Sequence, residues 1–445
     1  MSEVIDRVES VCPVCLGRID GVIVSDGDTV SMVKTCPAHG TFSTVIWRGM
    51  PSYGSWSRPK TACRGGRRQT GTDRGCPYDC GLCPGHGQRT CTALVEVTGR
   101  CNLGCPICFA ESGADGSGDQ DLAALAQRFV GVFEATGGCN LQLSGGEPTV
   151  RNDLPAVIQA AAAAGFSFIQ LNTNGLRLAA EPDLAAVYRE AGLSSVFLQF
   201  DGLTDKVYGR LRSRPLLEIK MRALENMSRA GLPVVLVPTV VQGVNDDQLW
   251  QIARFGMDRL PLVRGVHFQP LSLFGRYPAD IAASRVTLPE IMTGLQEQSG
   301  GQLRAGDFRP PGCEHALCSF NARYFVDLEG APRRLGAGNS CDCRPIPADE
   351  GAKTAIAVTA RQWGDCPPQL PMAPRPPDDL DLFLERARTH TFSITAMAFQ
   401  DAWNLNLERL RGCCIHVAPP EGGLVPFCAY NLTAADGTPL HRRQR

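Results

Sequence analysis

Between residues 92 and 270 two hydrophobic rhythms alternate along the chain. Short apolar, β-branched runs are separated by longer segments in which apolar positions recur every three or four residues. The first rhythm marks a buried strand and the second an amphipathic helix. The runs fall at 93–97, 141–143, 168–171, 195–200, 233–240 and 266–270. The helical segments between them fall at 121–136, 154–164, 181–191, 215–230 and 246–257, and the first opens behind an Asp-rich stretch suited to capping. The uncharged stretch 154–171 has the length of a membrane span. Gln159, Gly165, Ser167 and Gln170 interrupt it, so it reads as an Ala-rich helix, a turn and a buried strand. Six strand–helix repeats predict an α/β fold, a partial (β/α)6 TIM-like barrel over 92–275.

In such barrels the reactive groups gather at the C-terminal ends of the strands. The runs here end in unusual residues. The second leads into Ser144-Gly145-Gly146-Glu147-Pro148 and the third into Asn172-Thr173-Asn174-Gly175. The fourth ends at Gln199 and Asp201, the fifth carries Thr239, and the sixth ends at Gln269. Each of these also has a plain reading as a polar loop cap or turn.

The flanks follow other patterns. Residues 1–50 form a small unit of short alternating segments, 21–24 and 29–33, between Cys12-Pro-Val-Cys15 and Cys36-Pro-Ala-His39. Residues 51–91 are rich in Gly, Arg and Pro, too polar and short to bury a core alone. Residues 276–445 carry a hairpin pattern at 323–330, a Pro-rich linker at 366–377 and a helix at 378–389.

Hydrophobic content of 43% and charged content of 20% fit a folded, soluble enzyme. A formal net charge of -1 argues against a nucleic-acid or anionic-membrane partner. The N-terminus, Met1-Ser-Glu-Val-Ile-Asp-Arg, is polar and lacks an apolar leader, so a cytoplasmic protein is expected. The 20 cysteines change the picture. They cluster at short spacings, which in a cytosolic chain points to metal rather than disulfides.

Cys12, Cys15, Cys36 and His39 have zinc-ribbon or rubredoxin spacing, two knuckles offering a tetrahedral site for mononuclear Zn or Fe. Cys101-Asn-Leu-Gly-Cys105-Pro-Ile-Cys108-Phe109 is a CxxxCxxC loop at the end of the first barrel strand. Three thiols leave one iron of a four-iron cluster open to another ligand. Cys76, Cys80 and Cys83 repeat the spacing, and a metal would explain how this polar segment orders. Cys63, Cys91 and His86 are candidate fourth ligands there or bystanders, and Cys63 reads better as a bystander.

The loop from Cys101 to Phe109 resembles the cluster loop of the radical SAM superfamily, and residues 144–148 resemble its GGE motif. The resemblance implies a [4Fe-4S] cluster on Cys101, Cys105 and Cys108 that binds S-adenosylmethionine (SAM) and cleaves it reductively to a 5′-deoxyadenosyl radical. It implies SAM contacts from Phe109, Gly145, Gly146, Glu147 and Pro148, and by position from Asn172, Asn174, Gln199, Asp201, Thr239 and Gln269. An external low-potential electron donor is also implied. The N-terminal unit, Gly75-Cys-Pro-Tyr-Asp-Cys-Gly-Leu-Cys-Pro84 and the ending Cys413-Cys414-Ile-His416…Pro426-Phe-Cys428-Ala-Tyr-Asn431 are similar to one branch. That branch holds the tetraether lipid synthases and the class D radical SAM methylases. It implies one or two auxiliary [4Fe-4S] clusters. One would sit on Cys76, Cys80 and Cys83, and a further one on Cys313, Cys318, Cys341 and Cys343 with Cys413, Cys414 or Cys428 as additional candidates.

The expected reaction is methylation of an unactivated carbon of a small molecule, with a methylene-tetrahydrofolate-type compound as a candidate donor. Radical coupling of lipid chains is the alternative, favoured by a large apolar tunnel where a polar pterin-sized pocket favours methylation. Peptide modification is a third reading. A non-catalytic zinc-ribbon binding module is a fourth, and less than about four irons per chain would establish it over the others. Cys105→Ala is expected to abolish reductive SAM cleavage in a chain that still folds. Cys80→Ala is expected to keep part of that cleavage and to stop product formation; full product from it would remove the auxiliary cluster from the reaction.

Overall fold

A computed structural model of the chain describes residues 3–56, 58, 62–63, 69–113, 119–281, 285–336, 347–364 and 378–442. Cys341 and Cys343 lie outside the described residues.

The N-terminal unit is a four-stranded antiparallel meander of β1 (Glu3–Val11), β2 (Arg18–Asp26), β3 (Thr29–Cys36) and β4 (Gly40–Arg48). Strand alternation sends Val30, Met32, Lys34 and Cys36 to one buried face. Lys34 is hydrogen-bonded rather than exposed: its Nζ donates to Ser10 Oγ at 3.0 Å and to the Ala402 carbonyl at 2.7 Å. A short helix α1 (Tyr53–Trp56) follows and seats Trp56 beside Trp47, with its indole N–H on the Ala316 carbonyl at 2.8 Å. The meander thus docks on the C-terminal third of the chain.

The repeats then run β5 (Thr92–Thr98), α2 (Leu122–Thr136), β6 (Asn140–Gly145), α3 (Leu154–Ala163) and β7 (Ile169–Thr173). They continue as α4 (Leu176–Ala180), α5 (Leu184–Glu190), β8 (Ser195–Gln199), α6 (Asp205–Arg212) and α7 (Leu217–Ala230). Next come β9 (Val234–Val237), β10 (Thr239–Val240), α8 (Leu249–Met257) and β11 (Val263–Pro270). The helix expected over 181–191 is α5, which starts only at Leu184 because Pro182 disfavours helical backbone at Glu181, extended at φ -116° and ψ 96°, and the short α4 before it was not expected. The strand expected over 233–240 breaks at Pro238, which has no N–H to donate. Helix α6 was not evident from periodicity.

The last third adds α9 (Leu288–Gln298), β12 (Ser319–Val326), β13 (Pro332–Arg334), α10 (Ala348–Trp363) and α11 (Asp379–Thr389). It ends with β14 (Thr391–Met397), α12 (Leu407–Arg411), β15 (Ile415–Val417), β16 (Val425–Pro426) and α13 (Phe427–Tyr430). The expected six strands stand in chain order as β5-β6-β7-β8-β9-β11, all parallel. The C-terminal third extends them at both edges, β14 parallel to β11 and β15 parallel to β5. The result is a partial parallel barrel whose helices cover the outer face. Its main core lies between strands and helices, with Leu141, Leu143, Leu171, Val196 and Val266 fully buried there.

A buried ion pair ties the chain's end to β5. Arg442 reaches Glu96 at 2.8 Å and donates to Asn431 Oδ1 at 2.6 Å, while the Tyr430 hydroxyl donates to Glu96 at 3.2 Å. Arg442→Ala removes the cation from a buried carboxylate, and we expect about 3 kcal/mol of lost stability. A urea unfolding midpoint equal to wild type would contradict this.

Candidate active site

The loop after β5 carries Cys101, Cys105 and Cys108, and all three line one cavity of about 310 Å³ inside the barrel. Two arginines fix the loop from below and beside. Arg276 Nε donates to the Cys105 carbonyl at 2.9 Å, and Arg212 Nη1 donates to the Ile107 carbonyl at 3.1 Å. Burial pushes the Cys101 thiol up to about 12 and also raises Cys105, against which the Arg212 guanidinium pulls the other way. Three thiols that open onto one cavity, with a cation behind them, fit an iron–sulfur cluster that keeps one corner free.

The Gly145–Gly146 pair explains how this loop is placed. Gly146 N donates to the Thr98 carbonyl and Glu147 N to the Arg100 carbonyl, both at 2.9 Å. A Cβ on Gly145 would stand 2.2 Å from the Thr98 oxygen, and one on Gly146 2.1 Å from the Arg100 oxygen. No side chain fits there. Gly145 also sits at φ 123°, a conformation that glycine alone adopts readily. Glu147 is 1% exposed and its carboxylate is engaged within the protein. It accepts from Thr149 Oγ1 at 2.6 Å, Thr173 Oγ1 at 2.7 Å and Asn174 N at 2.6 Å, which joins the end of β6 to the end of β7.

Phe109, Asn172, Asn174, Gln199, Thr239 and Gln269 line the same cavity as the cluster loop. Asn174 Nδ2 donates to Asn102 Oδ1 at 2.8 Å, within the loop itself. Pro148 and Asp201 do not line it. Pro148 starts a turn, and Asp201 is fully buried behind Arg212, with which it forms two bonds of 2.8 and 2.7 Å. The cavity wall at that point is Arg212, whose charge burial opposes and Asp201 restores. Lys220 lies beneath it, fully buried and lowered to about 8 by desolvation, its Nζ donating to the Asn174 carbonyl at 2.5 Å. Neither cation is marked in the sequence, because both lie on helices whose amphipathic pattern hides a single inward charge.

Below the strand ends polar side chains stand among the apolar ones that line the barrel interior. Alternation on β6 sends Leu141 and Leu143 to the helices and Asn140, Gln142 and Ser144 inward. On β7 it sends Gln170 and Asn172 inward, and on β11 His267 and Gln269. Gln142 Nε2 donates to Gln170 Oε1 at 2.8 Å. Helix α10 meets the strands' N-terminal side, where the Asn140 amide donates to the Ile356 carbonyl at 3.3 Å, and adds Thr359 and Trp363 to the lining.

The other cysteines form distinct groups. The ligand atoms of Cys12, Cys15, Cys36 and His39 lie within 4.8 Å of one another. Hydrogen bonds from the Ala38 backbone and from His39 lower the Cys36 thiol to about 6. This donor set fits a four-coordinate metal. Cys76 and Cys80 are hydrogen-bonded partners, Cys83 and Cys413 lie close enough to act on Cys80, and the Tyr78 hydroxyl ties the loop to the Leu16 carbonyl of the meander at 2.8 Å. Cys91, Cys313 and Cys414 form a fully buried trio within 4.8 Å. Cys91 is pulled well below its usual range by hydrogen bonds from Cys313 and Cys414. Three buried thiols within reach of one another suit a thiophilic metal. Cys318, expected beside Cys313, instead accepts from Arg409 at 3.1 Å, and Cys428 accepts from Gln400 N at 3.3 Å. Spacing could not reveal the trio, since its members come from three distant segments.

The family description "Radical SAM superfamily" matches residues 95–256, and "HMPTM N-terminal zinc ribbon domain" matches residues 4–48. The chain is 33% identical over 484 residues to the 7,8-dihydro-6-hydroxymethylpterin dimethyltransferase of Methanocaldococcus jannaschii, covering 98% of this chain and 94% of that protein. It is 30% identical over 171 residues to the probable GTP 3′,8-cyclase of Methanothermobacter marburgensis, covering 38% of this chain and 55% of that one. Among solved structures, Streptococcus suis SuiB bound to its precursor peptide SuiA aligns with a TM-score of 0.41 at 12% identity, over 48% of this chain and 46% of that chain.

Proposed function

The chain belongs to the radical SAM superfamily, and we propose that it methylates a small, flat, pterin-type substrate held inside its barrel. The observation that carries this reading is a set of polar side chains on the otherwise largely apolar inner face of the barrel. Barrel interiors are ordinarily packed with branched apolar side chains. Here Asn140, Gln142, Gln170 and His267 line a cavity that opens directly onto the three cysteines of the cluster loop. A lipid chain would leave Gln142 Oε1 and Asn172 Oδ1 without a partner, whereas a heterocycle with a hydrogen-bonding edge satisfies them. The near full-length likeness to a pterin dimethyltransferase supports the same substrate class.

A four-iron cluster held at the cysteine loop together with SAM would supply a 5′-deoxyadenosyl radical when reduced. The chain's own residues do the rest. Cys101, Cys105 and Cys108 hold the cluster, and Arg212 and Arg276 hold the loop that carries them. Gly145 and Gly146 let the end of β6 approach that loop, and Glu147 fixes the neighbouring strand end. Asn174, Gln199, Thr239 and Gln269 offer polar partners to SAM, and Phe109 covers the loop against Phe427 at 5.8 Å. The surrounding barrel excludes water from the reacting carbon. Cys76, Cys80 and Cys83 hold one auxiliary cluster and Cys91, Cys313 and Cys414 ligate another. The transferred carbon comes from a methylene-tetrahydrofolate-type donor, and electrons from a separate low-potential protein.

Anaerobic incubation of the reconstituted enzyme with reductant, 6-hydroxymethyl-7,8-dihydropterin, methyl-labelled SAM and, in a parallel reaction, labelled methylene-tetrahydrofolate tests this. Mass spectrometry is expected to show a pterin heavier by a methyl group, with label from the folate. Label from SAM would keep the methylation and replace the donor. No altered pterin, with coupling of lipid chains instead, would overturn the reading.

A further inference from the structure

The barrel's lower half has features that the methyl-transfer reading does not itself require. Three aromatic rings meet there: Phe197 on β8, His267 on β11 and Trp363 at the end of α10. Their ring centroids lie 5.4 Å (Phe197–His267), 5.2 Å (Phe197–Trp363) and 6.0 Å (His267–Trp363) apart. All three line the cavity. The Trp363 ring is fixed from behind, its N–H donating to Ser393 Oγ at 2.8 Å.

Several polar atoms around these rings offer lone pairs. The Thr395 hydroxyl oxygen lies 2.8 Å from His267 Nδ1 and 3.3 Å from the Val266 carbonyl. With the hydroxyl proton on that carbonyl, Nδ1 carries the ring proton and Nε2 is an acceptor. Burial lowers His267 to about 4, so the ring is neutral at physiological pH. Gln142 Nε2 donates to Gln170 and Gln170 Nε2 to Ser195 Oγ at 3.3 Å, while Gln142 Oε1 accepts from no protein group among the described residues. Asn172 Oδ1, above Gln170 on the same strand, is buried without a partner. A buried acceptor left unpaired costs roughly 1–3 kcal/mol. This buried acceptor, with Gln142 Oε1 and His267 Nε2 open to the same cavity, stands beside a set of aromatic rings and suits a flat ligand with N–H groups along one edge.

Resting on the pterin-type reading above, we infer that this lower half is the ring pocket: Phe197, His267 and Trp363 clasp a planar fused bicycle, and Gln142 Oε1, His267 Nε2 and Asn172 Oδ1 accept from the amino and lactam N–H groups of a 2-amino-4-oxopyrimidine edge. Guanine carries the same edge. A guanosine triphosphate would also need cations for its phosphates, and the one cation of the described lining, Arg212, is already paired to Asp201. The free pterin is therefore the favoured occupant.

Equilibrium dialysis of the reconstituted, SAM-loaded enzyme with 6-hydroxymethylpterin, its 2-desamino analogue and GTP tests the pocket. Wild type is expected to bind the pterin roughly tenfold or more tighter than the analogue, and GTP not at all. Trp363→Leu is expected to weaken the pterin by about tenfold, and Gln142→Leu to erase the preference over the analogue. Unchanged iron content and SAM affinity show that each variant is folded. Pterin binding by wild type that neither variant alters would place the ring elsewhere and leave the methyl-transfer reading standing. Tighter binding of GTP than of pterin would overturn the choice of occupant. SAM binding without any pterin binding by wild type would overturn both the pocket and the substrate class on which it rests.

Discussion

A parallel barrel that turns amides inward must fill its interior with something that bonds to them. Water satisfies amides, but it would also fill the space in which a substrate carbon has to meet a radical formed at the strand ends. On the proposed reading, the inner face of this protein takes a ligand with its own hydrogen-bonding edge, seated while the reaction runs. Much of the surrounding architecture follows from holding that interior closed: β14 and β15 widen the sheet at its two edges, α10 meets the strands' N-terminal side, and Phe109, Phe399 and Phe427 cover the region of the cysteine loop.

At the upper end a second constraint acts, the close approach of two backbones. Gly145 and Gly146 lie against the Thr98 and Arg100 carbonyls with no room for a Cβ. That contact sets the height of the cysteine loop relative to the cavity. The carboxylate of Glu147 then locks the ends of β6 and β7 together. The charges are similarly layered, with Arg212 at the wall, Asp201 behind it and Lys220 beneath. A fixed guanidinium beside thiolate ligands favours their charged form and stabilises a reduced, more negative cluster.

How much of this could be read in the sequence depends on how local each signal is. The six central strands, the cysteine loop, the glycine pair and the meander with its Cys12, Cys15, Cys36 and His39 group are each written in a few adjacent residues, and each stands where its pattern places it. Pro182 and Pro238 reshape elements that hydrophobic periodicity alone treats as continuous. The inward amides were hidden because β6 and β7 are short, and one polar residue in a short apolar run gives no reliable phase. The trio of Cys91, Cys313 and Cys414 was hidden for a different reason, since its members meet only after the C-terminal third has joined both edges of the sheet. Asp201 showed the opposite effect: a conspicuous polar strand end that serves Arg212 rather than the cavity.

The central claim is that a flat heterocycle lies within the barrel, between the cysteine loop and α10. An anaerobic crystal structure of the iron-loaded protein with SAM and 6-hydroxymethylpterin tests it most directly. The account predicts ring density between Phe197 and Trp363, with its amino edge toward Gln142 and His267. Pterin density outside the barrel, with the interior holding only ordered water on those amides, would contradict it.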